Sequence, residues 1–245
     1  MTQIKKQTAR DGEQGNVLFL ILIAVALFAA LSYAVTQSSR SGGGDAGRET
    51  NIVSGAQVTQ YPAGVRTSIL RMIVSNNADQ TTLEFNSPSA YSDCTAGFAR
   101  CVFHPTGGGA TYVLAPGEVM TSGNPTAWVF NGENEIFNVG TSVGGDGQTA
   151  ATSDVIAFLN GVSTNVCERI NERLGLPTDL TTVVETAAID TTTQMVNPDG
   201  ATPTSIGFGG GTIGEGGAVD LNGQPFGCFR DSGGNNVYYH VLIER

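Results

Sequence analysis

Residues 17–35 read VLFLILIAVALFAALSYAV, nineteen positions without a charge. Coiled as a helix, the stretch rises about 28 Å, close to the hydrocarbon thickness of a bilayer. A core helix in a chain of this size keeps a polar stripe toward water, and this one has none. Its flanks set a direction. Lys5, Lys6 and Arg10 precede it, and positive flanks stay in the cytoplasm. Arg40 follows closely and weakens that bias without reversing it. The expectation is a single transmembrane helix with its N-terminus cytoplasmic and the rest of the chain across the membrane.

The remainder is a weakly charged, glycine-rich body. The 245 residues include 33 glycines, and charged residues make up 14%, against a usual share of about 25%. From residue 41 onward there are 8 Arg, no Lys and 20 Asp+Glu, a net of −12. Such a body repels phosphate backbones, so nucleic acid is excluded as a partner. With 40% hydrophobic residues and recurrent strand-like runs, disorder is excluded too.

Three fates fit the apolar segment. It can be an uncleaved anchor. It can be a secretory signal, since Ser32-Tyr33-Ala34 places small residues at −3 and −1 of a cleavage site. The third comes from the residues at its start. Gln14-Gly15-Asn16 joins a short charged leader directly to the hydrophobic run, and this junction resembles the type IV prepilin signal. The resemblance implies cleavage after Gly15 by a membrane prepilin peptidase, a mature chain beginning at Asn16, and a helix that anchors the subunit and later packs in a filament. Major pilins begin with Phe and carry Glu at the fifth mature position. Here Asn16 and Leu20 stand there, the pattern of minor pilins and pseudopilins that lack that Glu.

After the anchor, Gly42-Gly43-Gly44 is read as a break or joint. Asp45 can cap a second helical stretch, in which Ile52, Val53 and Ala56 define one apolar face. Pro62 and Gly64 interrupt it, and Val65, Ile69, Leu70 and Ile73 resume at spacings near four, with Arg66 and Arg71 off that face. From residue 81 the texture turns to short strand-like runs at 81–85, 110–114, 127–130 and 135–139, with Asn131-Gly132 as a hairpin turn. Residues 154–174 read as helical, because Val155, Leu159, Val162, Val166, Ile170 and Leu174 recur at three or four. Gly161 splits that stretch, Thr164 can cap its second half, and Gly175 then Pro177 stop it. Residues 181–186 are a candidate strand, 201–217 a Gly/Thr loop, and 236–244 the strongest strand of the chain.

The four cysteines, Cys94, Cys101, Cys167 and Cys228, allow three pairings. The favoured one joins Cys94 to Cys101 around a short loop and Cys167 to Cys228 around about 60 residues, the latter worth roughly 4 kcal/mol. No spacing resembles paired zinc ligands, so no metal is expected on them.

Apparent chemistry is thin. Asp231-Ser232-Gly233-Gly234 resembles the nucleophile segment of chymotrypsin-like proteases, but Arg230 replaces an oxyanion-hole glycine and His104 lacks the family's setting. The expected structure there is a polar turn. His240 should share a strand face with Tyr238 and Leu242 in a structural or surface role. Glu133 and Glu135 lie two apart and can pair for acid–base work, although such neighbours ordinarily form a solvated face. Asn131, Glu133, Glu135, Asp146, Asn197 and Asp199 can supply oxygens to calcium, in no recognised loop pattern.

The expected fold is α+β, a long N-terminal transmembrane helix followed by a β-rich, disulfide-bonded extracytoplasmic head. Its segments are a leader at 1–15, the membrane helix at 16–41, a jointed helical stalk at 42–80, and the head at 81–245 with a helix near 154–174. The expected function is assembly and contact rather than catalysis, without cofactor, as a minor pilin-like or pseudopilin-like subunit in a bacterial inner membrane. The lipid bilayer, prepilin peptidase and other pilin-like subunits would be its partners. The alternative is a membrane-anchored or secreted extracytoplasmic binding or structural domain.

Overall fold

The computed structural model describes residues 14–140, 153–186, 188–197 and 210–245. The leader before Gln14, the glycines at 144–147, Asp146, Asp199 and most of the 201–217 loop lie outside the described residues. The chain forms two compact units, one ending at Glu49 and one spanning Thr50–Arg245.

The first helix, α1, runs Gln14–Asn76. It passes through Gly42-Gly43-Gly44 and through Pro62, where sequence reading placed a break and an interruption. Each helical glycine costs only about 1 kcal/mol against alanine, which disfavours a helix without forbidding it. Proline costs more, about 3 kcal/mol. Pro62 is buried, and it lies on the same face as Val58, Val65, Ile69 and Met72, the stripe that packs into the core. Leu70, expected on that stripe, is 46% exposed, and Val53 is 58% exposed where Ser54 and Gly55 are buried instead.

A five-stranded sheet is the centre of the second unit. Its strands are β1 (Val129–Ile136), β2 (Asp154–Asn160), β3 (Thr212–Ile213), β4 (Phe226–Arg230) and β5 (Asn236–Ile243), in the order β3-β1-β2-β5-β4. All pairs are antiparallel except β1 with β3. One sheet face meets α1 and a second helix, α2 (Thr164–Leu174), through Val155, Ala157, Leu159, Tyr238 and Leu242. The opposite face, with Ile156, Phe158, Tyr239 and Val241, is covered by Val183, Ile213, Ala218 and Leu221.

This two-sided burial corrects the helical reading of 154–174. Residues 154–160 are a strand and only 164–174 are helix. Val155 to Leu159 is a continuous apolar run because both of its faces are covered, and such a run satisfies a helical period by accident. Gly161, at φ 79°, makes the left-handed turn between strand and helix. Ser163, not Thr164, holds the N-cap of α2. Gly175, at φ 72°, closes α2 as the Gly175–Pro177 signal predicts.

Asn131-Gly132 is no hairpin turn. It lies inside β1, where the partner register shifts between Asn131 and Asn134. The Asn131 side chain accepts from the Glu133 N–H at 3.3 Å and from Asn134 Nδ2 at 3.2 Å, so the extra residue is absorbed as a bulge. The runs at 81–85, 110–114 and 181–186 form no ladders. The first and last add single bridges, Glu84 to Cys101 and Val184 to Arg230. Asp231 and Gly234 do form the expected polar turn, between β4 and β5, with the Gly234 N–H donating to the Asp231 carbonyl at 3.0 Å.

Candidate functional site

The features that bear on function are an exposed apolar helix segment, the seat of α1 on the sheet, and the covalent and polar ties that hold that seat. In the first unit, Val17–Gln37 has a mean hydropathy of 2.7 and none of it is buried. The segment is long and apolar enough to cross a membrane, and a signal sequence passes the same test. Gly15 and Asn16, the processing pair, fall in the first turn of α1.

In the second unit α1 is fixed at several depths. Val58, Val65, Ile69 and Met72 join the same cluster as Val155, Leu159 and Leu242. Tyr61 packs on Trp128 with ring centroids 5.2 Å apart, and Trp128 meets Tyr238 edge-on at 6.1 Å. Arg66 donates to the Val241 carbonyl at 3.5 Å and pairs with Glu244 at 3.1 Å. That pair is about one-third exposed on each side, so it orients the helix more than it stabilises it.

His240 lies on this helix-facing side with Tyr238 and Leu242, as its place in the strand predicts. Its Nδ1 is 2.8 Å from the Tyr238 hydroxyl, and its ring stacks on Phe226 at 5.3 Å. Burial, helped by the nearby Arg66 charge, lowers its pKa to about 4. The ring is neutral at neutral pH. His104 is stacked on Phe98 at 4.0 Å and accepts from the Thr106 N–H at 3.2 Å. Ser232 is an exposed residue of the β4–β5 turn.

Both disulfides join the favoured pairs. Cys94 bonds to Cys101 and Cys167 to Cys228, with Cα atoms 6.2 and 5.5 Å apart. The second ties α2 to β4. Beside it Asn171, fully buried, gives Nδ2 to the Cys228 carbonyl and accepts from the Cys228 N–H, both at 3.0 Å. One side-chain amide thus covers the open edge of β4 as another strand would. Farther along that edge Arg230 exchanges backbone bonds with Val183 and Glu185.

Glu133 and Glu135 depart from the solvated face that their spacing suggests. They are 8% and 1% exposed, turned inward at the bulge, and the Thr212 hydroxyl donates to Glu135 at 3.0 Å. Asp154, unmarked by any motif, is a strongly perturbed carboxyl. Its oxygens accept from the Ile136 N–H at 3.0 Å and the Arg245 N–H at 2.9 Å, so one carboxylate links β1, β2 and Arg245, two residues past β5. Burial raises its pKa to about 7 against those two bonds, and Glu135 adds to the rise. Asn171 and Asp154 escaped sequence reading because a lone Asn or Asp signals its partners only through the fold.

Compared with known proteins, the chain matches no family model, no curated protein and no solved structure.

Proposed function

We propose that the chain is a membrane-anchored, pilin-like structural subunit of the minor type, working by assembly and contact. The observation that carries this reading is α1. One helix, Gln14–Asn76, holds an exposed apolar stretch of 21 residues and, from Val58 to Met72, a face built into a disulfide-bonded α+β unit. Gly15, directly ahead of the apolar run, supports processing by a prepilin peptidase. The disulfides support placement of the head outside the cytoplasm, since such bonds persist in oxidising compartments. In this reading the chain sits in a bacterial inner membrane with residues 50–245 periplasmic or on the cell surface, beside other pilin-like subunits. The test is Gly15→Val in the native cell. The substituted chain should keep its 15-residue leader and migrate as the longer form. Normal shortening of that variant would remove the basis of the reading.

A second reading has its own support. Leu20 stands where major pilins carry Glu, and a groove of about 320 Å³ is lined by Tyr61, Trp128, Leu114 and Pro116 among others. A plain anchor carrying a ligand-binding head fits both. Unchanged chain length in cells lacking prepilin peptidase would favour it.

A further inference from the structure

The first disulfide closes over a buried carboxylate. Glu84 is 0% exposed and bridges Cys101 in parallel register. Its Oε2 lies 3.2 Å from Cys101 Sγ, and the ligand atoms of Glu84, Cys94 and Cys101 all fall within 4.8 Å of one another. A disulfide sulfur has no proton to donate, so this approach is not a hydrogen bond. The carboxylate accepts from the Thr95 N–H at 2.9 Å, from the Thr95 hydroxyl and from Asn197 Nδ2 at 3.2 Å. Among the described residues no Arg, Lys or His pairs with it. Asn197 is itself 0% exposed, and its Oδ1 has no hydrogen-bond partner among the described residues. Because Oδ1 shares a carbon with Nδ2, it lies within about 5.5 Å of the Glu84 oxygen. Two sulfurs and a carboxylate that no Arg, Lys or His among the described residues pairs with therefore border one small volume, and Asn197 Nδ2 holds the other carboxylate oxygen, Oε1.

We propose that this cluster is a redox-gated metal site: the Cys94–Cys101 disulfide is its closed state, and its reduced state holds zinc on Cys94, Cys101 and Glu84. A dithiol supplies the two electrons and two protons that open the S–S bond and is itself oxidised to a disulfide. Zinc then displaces both thiol protons, forming two Zn–S bonds and one Zn–O bond, and water completes the fourth position. Tetrahedral coordination at ordinary bond lengths asks for an S···O separation of about 3.5 Å and an S···S separation of about 3.8 Å. The first is close to what the closed state already has. The second needs only side-chain rotation, since the Cα atoms stand 6.2 Å apart.

Net charge does not oppose the exchange. The closed site carries one negative charge, on Glu84. The open site with two thiolates, the carboxylate and a divalent ion carries one as well, so burial costs change little between states. Two thiolates select zinc over calcium or magnesium. Sequence spacing hides the site because the cysteines are seven apart and the third ligand lies ten residues upstream. The zinc state needs a dithiol reductant in the compartment that holds the head, and the site itself does not depend on how the N-terminal helix is used.

The full chain in detergent, reduced with a phosphine, is pulsed with iodoacetamide with and without zinc, and each cysteine is read by peptide mass. Zinc should slow labelling of Cys94 and Cys101 and leave Cys167 and Cys228 unaffected. Glu84→Gln should raise the zinc concentration needed by at least the roughly 10-fold that even an outer partner of a metal site is worth. Equal labelling with and without zinc overturns the proposal, including the case where reduction opens all four cysteines alike. So does protection that is unchanged in Glu84→Gln.

Discussion

Asp154 and His240 are buried a few residues apart along neighbouring strands, and their pKa shifts act on stability in opposite senses. Asp154 moves from 3.8 to about 7, so the folded state holds a proton that the unfolded chain releases. Its contribution is full below pH 4 and is lost as pH rises toward 7, on the order of 2–4 kcal/mol. His240 moves from 6.5 to about 4, so the unfolded chain takes up a proton that the folded state refuses, and stability falls as pH drops from 6.5 toward 4. Urea unfolding across pH 4–8 separates them. Asp154→Asn should leave a profile that weakens only toward acid, and His240→Asn one that weakens only toward neutral pH. Asn171 makes a simpler prediction. Asn171→Leu strands the N–H and C=O of Cys228, and the unfolding free energy should fall by about 1–3 kcal/mol.

At the scale of elements, α1 divides sharply into a packed face and an open one. Ile69→Ala should cost about 2–5 kcal/mol, and Leu70→Ala next to it should stay within about 0.5 kcal/mol, both read by thermal unfolding. The disulfides should differ as well. Replacing Cys167 and Cys228 opens a loop of 61 residues and should cost about 4 kcal/mol, whereas opening the loop of seven at Cys94–Cys101 should cost about 2.5 kcal/mol. What the sequence made legible follows from locality. The apolar run at 17–35, the α2 stop at Gly175 and the strand at 236–244 are written in neighbouring residues, and of the two disulfides only Cys94–Cys101, seven apart, is close to local. The strand at 154–160 was not, because covering both of its faces erases the period of two that marks a strand. Nor was the bulge at Asn131-Gly132, whose residues are those of a turn until Asn134 and the 190–193 segment bond across it. Glu84, Asp154 and Asn171 act through partners 11 to 113 residues away, beyond the reach of any local pattern.

For the whole molecule, the chain joins an apolar helical segment to an acidic body held by two disulfides, and the proposed role uses both ends. An anchored chain should stay with the membrane through alkaline carbonate washing and leave it only in detergent. The most direct test of the pilin-like reading is the mass and N-terminal residue of the protein taken from membranes of its native cell. A chain beginning at Asn16, with a methylated amine, is the predicted result. A chain beginning at Met1, an uncleaved anchor, or at Val35, a secreted product, would contradict it.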